Sequence, residues 1–461
     1  MRCPTNVDRL KFSLVIFAIA ITAIYPGRAA AFCGFYVGKA DASLHNHSSK
    51  VVIVRHDEKT VLSIMSDYQG DLSQFAMVVP VPVVLTREQI HIGDVEVFKH
   101  LDAYSAPRLV EYDDPSPCPM MFPRAEAGAG AAMPFGAQSS VSSSAKALGV
   151  EIKARFTVGE YDIVILSASQ SDGLETWLVE NGYRIPKGAA AALEPYIRDG
   201  MKFFVAKVNL KAQTKLGLNY LRPIQFAFES SKFMLPIRLG MLNASGPQEL
   251  TVYTLTENGR VETTNYRTVR MPTGISIPNY VRDDFDNVYS AIFTHQAKIN
   301  DMNAVFTEYT WNMGWCDPCA APPLSRDELR ELGVFWLGDP NPTQPFGAPP
   351  AFGYSQMAPT QVILTRLHLR YSPATFPEDL MFQETNDAQN FQTRYVLHRA
   401  WSGSPEVCPA ATTYLHDLDQ RRAKRAQNLA DLTGWDLNEI MRRAGLNPSL
   451  KPRPWWQGLW N

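Results

Sequence analysis

The chain has 461 residues, with 44 basic and 46 acidic side chains, a formal charge of −2 and 45% apolar residues. That length allows two or three domains and a large buried core. The near-balance of charge gives no electrostatic case for nucleic acid.

Residues 1–31 carry the three parts of a secretory leader. Arg2, Arg9 and Lys11 form a basic start, and Phe12 to Tyr25 an uncharged apolar core. Pro26-Gly27 break the segment, and Ala29-Ala30-Ala31 supply a small-x-small cleavage site. Cleavage is expected after Ala31, because an apolar core of about 14 residues falls short of the about 20 that span a bilayer. Phe32 precedes Cys33 where a lipid anchor needs a small residue, which argues against lipidation. The mature chain, with 40 basic and 45 acidic residues, is expected to be soluble and either periplasmic or secreted.

Residues 32–112 read as an N-terminal α+β unit. Val51-Val52-Ile53-Val54 and Val61 to Met65 are strand-like around the polar turn His56 to Lys59, and Phe75 to Val79 is a further apolar run. Thr86 is placed to cap a helix running through Ile90, Val95, Phe98 and Leu101. Residues 113–149 are a low-complexity linker rich in Ala, Gly and Ser.

Residues 150–338 read as a central α+β unit. Tyr161 to Leu166, Met201 to Val208, Ile224 to Phe228 and Leu250 to Leu255 are strands, and Asn258-Gly259 is a hairpin signal. Helices are expected around Leu174, Trp177 and Leu178, and from Ala189 to Ile197. Val281, Phe285, Val288, Tyr289, Ile292 and Ile299 recur at the spacing of a long amphipathic helix. A Pro-rich linker at 339–360 precedes a C-terminal unit, 361–461. That unit holds strands at Val362 to Tyr371 and Tyr395 to Trp401, a charged helix from Leu415 to Leu432, and a short helix capped by Asp436.

Cys3 leaves with the leader, so five cysteines remain: Cys33, Cys118, Cys316, Cys319 and Cys408. Disulfides are the default outside the cytoplasm. An odd number leaves at least one thiol free, joined to another molecule or bound to a ligand. Cys33 with Cys118, flanking the first unit, is one pairing, and spacing alone does not choose among the alternatives.

The motif Trp315-Cys316-Asp317-Pro318-Cys319 invites three chemistries. A redox dithiol needs a thiolate at a helix N-terminus, directly after a buried strand. Tyr309 to Gly314 is short and polar for such a strand. A helix from Cys316 would also meet Pro322 and Pro323 in its second turn, costing about 3 kcal/mol or more. The next helix is expected at Ser325, whose Glu328 completes a capping box. The pair is therefore expected in a loop, as a structural disulfide. As a zinc half-site it would draw on Cys408, His398 or His416. His45 and His47 share a face if extended, with His56 a possible third ligand for copper or zinc, although a polar hairpin loop is the commoner explanation.

No His-Glu-x-x-His, Gly-x-Ser-x-Gly or phosphate loop is present in the chain. The acid pairs Asp113/Asp114, Asp283/Asp284 and Glu378/Asp379 read as solvated turn or helix-start residues. Arg421, Arg422, Lys424 and Arg425 read as a solvated helix face among Asp417, Asp419 and Asp431. The terminal Trp455-Trp456-Gln457-Gly458-Leu459-Trp460 is suited to docking on the protein itself, a membrane or a partner.

Several stretches resemble the bacterial family called "domain of unknown function 2330". They are Cys33 to Val37, Phe75 to Pro82, Ala106 to Tyr112, Phe233 to Gly240, Trp315 to Cys319 and Phe376 to Leu380. The resemblance implies an exported bacterial protein and brings no catalytic residues with it. The expectation is an α+β protein with mixed or antiparallel sheets, more than one domain and flexible linkers. Its role is expected to be non-enzymatic binding or scaffolding in the cell envelope. The partner would be an envelope protein or a membrane surface, with no cofactor and no catalytic residue assigned. The alternative is a thiol–disulfide oxidoreductase using Cys316 and Cys319.

Overall fold

The computed structural model describes residues 35–38, 45–69, 75–118, 151–168, 171–180, 188–215, 220–243, 246–315, 317, 321–337 and 361–450. The leader with its Ala31 site, Cys33, Cys316, Cys319, nearly all of both linkers and the Trp455 to Trp460 tail lie outside the described residues.

The fold is α+β, built on four sheets. The largest has nine strands. In order across it these are β14 (Arg267–Arg270), β16 (Ala304–Asn312), β17 (Ile363–Tyr371), β12 (Gln248–Thr256), β2 (His45–His56), β3 (Lys59–Gln69), β10 (Ile224–Glu229) and β5 (Ile90–Ile92), with β19 (Phe391–Gln392) also on β16. Beside it stands an antiparallel five-stranded sheet: β1 (Phe35–Gly38), β4 (Phe75–Val81), β9 (Lys202–Val208), β8 (Tyr161–Ser167) and β7 (Glu151–Val158). A small antiparallel sheet joins β11 (Met234–Leu235), β18 (Leu380–Glu384) and β13 (Val261–Thr263). The fourth sheet is wholly parallel: β15 (Ile275–Ser276), β20 (Arg394–Arg399) and β6 (Arg108–Asp113).

The helices are α1 (Val95–Ser105), α2 (Ser171–Glu180), α3 (Ala189–Arg198), α4 (Leu210–Lys215), α5 (Phe285–Ile299), α6 (Arg326–Glu331), α7 (Pro409–His416), α8 (Leu418–Thr433) and α9 (Leu437–Arg443). Among the described residues no helix is long and apolar enough to cross a membrane.

The nine-stranded sheet takes β2 and β3 from the stretch read as the first unit, β12 from the second and β17 from the third. Val51, Ile53, Leu250, Val252, Leu367 and Leu369 of these strands share one apolar cluster. Burying these side chains contributes about 1.5–3 kcal/mol each.

Local readings fare unevenly. The β2–β3 hairpin closes over His56 to Lys59 as expected, with Asp57 at φ 51° in its turn. Ser325 caps α6 with Glu328 completing the box, and Asp436 caps α9 by accepting from the Glu439 N–H at 2.9 Å.

Four readings are corrected. Thr86 begins only the short turn Arg87–Gln89, Ile90 belongs to β5, and α1 starts afresh at Val95 behind the Asp94 cap. The alternation of Ile90-His91-Ile92 pairs with β10 instead of continuing a helix. After Asn258-Gly259, β13 pairs with β18 and not back onto β12. Gly259 is required there because a Cβ would lie 1.9 Å from the Thr385 carbonyl oxygen. The polar-looking Tyr309-Thr310-Trp311-Asn312 ends a mostly buried strand, β16, because β17 and β19 pair with this end and exclude water. The helix read from Leu415 to Leu432 is two helices, separated at Asp417.

Candidate functional site

The three strands of the parallel sheet end together. In open parallel sheets the crevice beyond the carboxyl ends of the strands is where ligands bind, because the chain turns away there and leaves a gap. β15 ends at Ser276, and His398 is the next-to-last residue of β20. Asp114 follows β6 directly, its N–H donating to the Arg399 carbonyl at 2.8 Å. Residues far apart in the chain are thereby set side by side.

Their side chains form one line. His398 Nδ1 is 3.0 Å from the Asp114 carboxylate, and His398 Nε2 is 3.0 Å from Ser276 Oγ. A carboxylate only accepts, so Nδ1 carries a proton, and in the neutral ring Nε2 then accepts from the serine hydroxyl. The second Asp114 oxygen accepts from the Tyr414 hydroxyl at 2.6 Å, and that hydroxyl accepts from the Trp401 N–H at 3.0 Å. Asn428 donates to the Ser276 carbonyl at 2.9 Å. Burial opposes ionisation of Asp114, but Tyr414, His398 and Arg425 outweigh it and hold the carboxyl below its usual range.

α7 and α8 close the site from one side. Successive turns of α8 bring Arg421, Arg425 and Asn428 to an open cleft of about 560 Å³, which Ser276, His398 and Asp114 also line. A neighbouring hollow of about 270 Å³ shares His398 and Arg425 and adds Arg443. The solvated-face reading of the basic run is corrected here. Arg422 and Lys424 are exposed, but Arg421 is half-buried and donates to the Tyr414 carbonyl at 2.9 Å, and Arg425 is only 8% exposed.

Arg425 is the unfinished part. Among the described residues its only charged contact closer than 4 Å is Asp114 at 3.8 Å, and it makes no hydrogen bond. Burial pushes its guanidinium pKa down. Its guanidinium lines both hollows, with Asp114 the nearest carboxylate.

A disulfide between Cys118 and Cys408, with Cα atoms 6.0 Å apart, braces this region. It replaces the Cys33–Cys118 pairing considered from sequence. Parallel pairing of β6 with β20 sends both chains out at the same end, so Cys118 meets Cys408. The bond ties the segment bearing Asp114 to the start of α7, which bears Tyr414.

A second charged cluster lies under α1 and α5, on one face of the large sheet. Arg366, His368 and Arg370 alternate along β17, opposite Tyr253, Thr251 and Glu249 of β12. A bulge between Thr307 and Tyr309 inserts Glu308, which is 0% exposed. Glu308 accepts from Arg366 at 2.6 Å, from His368 at 2.7 Å and from the Tyr289 hydroxyl. Asp102 of α1 accepts from Arg366 at 2.7 Å, Lys50 at 2.5 Å and the Tyr253 hydroxyl at 2.6 Å. The ring of His368 stacks on Phe293 of α5 at 3.7 Å. Burial would lower His368, yet Glu308 and Glu249 raise it to about 9. Burial would raise Glu308, yet His368 and Arg366 hold it at about 2.

Of the residues singled out from sequence, Asp114, His398, Arg421 and Arg425 meet at the cleft, with Cys118 bonded to Cys408 beside it, whereas the β2 histidines do not. His45 and His56 stand at opposite ends of β2, about 36 Å apart at the strand rise. They cannot share a metal. The His45 and His47 side chains lie outside the described residues, and His56 pairs with Glu257 at 2.8 Å beside Trp336. Among the described residues no group of three His, Cys, Asp or Glu could hold a metal ion. Asp317, between Cys316 and Cys319, is buried and accepts from Tyr309 at 2.9 Å and Gln392 at 2.7 Å. Asp379 is no solvated turn either: it is buried and accepts from Tyr196, from Arg238 and from the Ile237 N–H.

A family model described as an uncharacterised protein conserved in bacteria, DUF2330, matches residues 27–383. The chain belongs to the DUF2330 family. No curated protein and no solved structure matches it. The span matched to DUF2330 includes Asp114 and Ser276 and ends before His398, Cys408 and Arg425, so the cleft is completed by residues beyond it.

Proposed function

We propose that this DUF2330 protein is exported to the cell envelope and there binds a small anionic ligand in the cleft beyond β15, β20 and β6. The observation that carries the reading is Arg425, a buried guanidinium lining two cavities with one contact at 3.8 Å and no hydrogen bond. An uncompensated buried cation is costly, and a carboxylate or phosphate can accept its paired donors. Arg421, Arg422, Lys424 and Arg443 surround the two cavities with further positive charge, against the lone carboxylate Asp114. The three-part leader and the Cys118–Cys408 bond support export, because disulfides persist in oxidising compartments. Asp317, between Cys316 and Cys319 in the sequence, is held by Tyr309 and Gln392, which supports a structural role for the motif.

Calorimetric titration of the full chain with inorganic phosphate tests the binding reading. The wild type is expected to bind at one site, and Arg425→Met to bind at least about tenfold more weakly, a loss of about 1.4 kcal/mol. Equal affinity in the two proteins would refute it.

A further inference from the structure

We infer that Ser276, His398 and Asp114 form a nucleophilic relay that hydrolyses carboxylic esters in the anion-binding cleft. The inference rests on the same cleft as the binding reading but asks more of it.

The geometry supplies the nucleophile–base and base–carboxylate contacts of such a relay. The hydroxyl of Ser276 and Nε2 of His398 are 3.0 Å apart, within reach for proton transfer. His398 Nδ1 and the Asp114 carboxylate are 3.0 Å apart, which selects the tautomer with Nε2 free to accept. Asp114 is itself oriented, by Tyr414 at 2.6 Å and by the disulfide four residues on. Ser276, His398 and Asp114 all line the open cleft, so the relay faces space a substrate can enter. A serine, histidine and aspartate buried for packing alone need no cavity and no buried guanidinium beside them. Arg425 in the same cleft is the donor group placed to meet the substrate's negative charge.

The chemistry balances with water as the only co-reactant. Ser276 Oγ bonds to the acyl carbon while its proton passes to His398 Nε2. The C–O bond of the ester breaks, and the departing alcohol takes that proton. Water then attacks the acyl-serine, giving a proton to His398 Nε2. The acyl–Oγ bond breaks, Oγ recovers the proton, and a carboxylic acid is released. Ser276 and His398 are the catalytic residues; Asp114 and Tyr414 are positioning residues. The substrate class is an ester carrying an acidic group, because Arg421, Lys424 and Arg425 line the same cleft as the nucleophile.

The test is covalent labelling of the full chain with an alkyl fluorophosphonate, which loses fluoride to an activated serine oxygen. Labelled peptides are identified by mass spectrometry, and phosphate binding and melting are measured on the same samples. The expected result is one label per chain on Ser276, none in Ser276→Ala, and labelling slowed by about 10³–10⁴-fold in His398→Gln and Asp114→Asn. Asp114→Glu, which keeps the charge, should recover part of the rate, a rescue that a packing role would not produce. Release of nitrophenolate should be faster from 4-nitrophenyl hydrogen succinate than from the neutral acetate, and Arg425→Met should erase that preference. A folded wild type that binds phosphate but takes no label on Ser276 overturns the relay and leaves the binding reading standing. Equal labelling of wild type and His398→Gln overturns it too. Absence of both label and phosphate binding overturns both readings.

Discussion

Two charged clusters in this protein use the same residue types and are finished differently. Under α1 and α5, Arg366 donates to Glu308, to Asp102 and to the Asp102 carbonyl, and His368 lies between Glu308 and Glu249. In the cleft, Arg425 has one contact at 3.8 Å. In the first cluster Glu308 is fully buried and an aromatic ring stacks on His368; the second opens into free space. Hydrogen-bond completion, more than burial, separates a charge kept for structure from one kept for a ligand. A buried ion pair contributes little net stability, but breaking one is expensive.

Removing a charge from the closed cluster should have the largest effect. Arg366→Met leaves Glu308 and Asp102 short of a partner and is expected to cost about 3–5 kcal/mol in urea unfolding. Cys408→Ser comes next, at about 2–5 kcal/mol, because the bond to Cys118 closes a very long loop. Its loss should also weaken phosphate binding, since the bond braces the Asp114 segment.

The closed cluster also sets a pH dependence. His368 is raised to about 9 from an ordinary 6.5, so its contribution is complete below pH 6.5 and is lost as pH rises through 9. Glu308 and Glu249 are held at about 2 from an ordinary 4.5, so their contribution is present above pH 4.5 and lost as pH falls through 2. Unfolding free energy should therefore be greatest between these limits, and His368→Gln should flatten the alkaline limb. An alkaline limb unchanged in His368→Gln would move the titration elsewhere. The smallest effect belongs to the open cluster: Arg425→Met should change unliganded stability by less than about 1 kcal/mol, and in the stabilising direction.

Much of the fold is legible in the sequence because it depends on short-range pattern. The β2–β3 hairpin, the Ser325 box and the Asp436 cap each rest on a few neighbouring residues. Arg366-Leu367-His368-Leu369-Arg370-Tyr371 shows the alternation of a strand, but alternation does not say whether the polar face meets water or two helices. The bulge at Glu308 is equally silent in sequence. The cleft was not legible. Ser276 and His398 are 122 residues apart, Asp114 and His398 284, and only parallel pairing of β15, β20 and β6 unites them. No local motif marks Ser276, which sits in an ordinary Ile-Ser-Ile-Pro stretch. The one available signal was the spacing of Arg421, Arg425 and Asn428 along a single helix face.

Phosphate-dependent unfolding tests the contrast between the two clusters most directly. At phosphate about 100-fold above its Kd, the wild type should gain about 2.7 kcal/mol in unfolding free energy. Arg366→Met, though destabilised, should keep that gain, and Arg425→Met should lose at least about half of it. A wild type indifferent to phosphate, or the same gain in Arg425→Met, would contradict the assignment of the cleft as the ligand site.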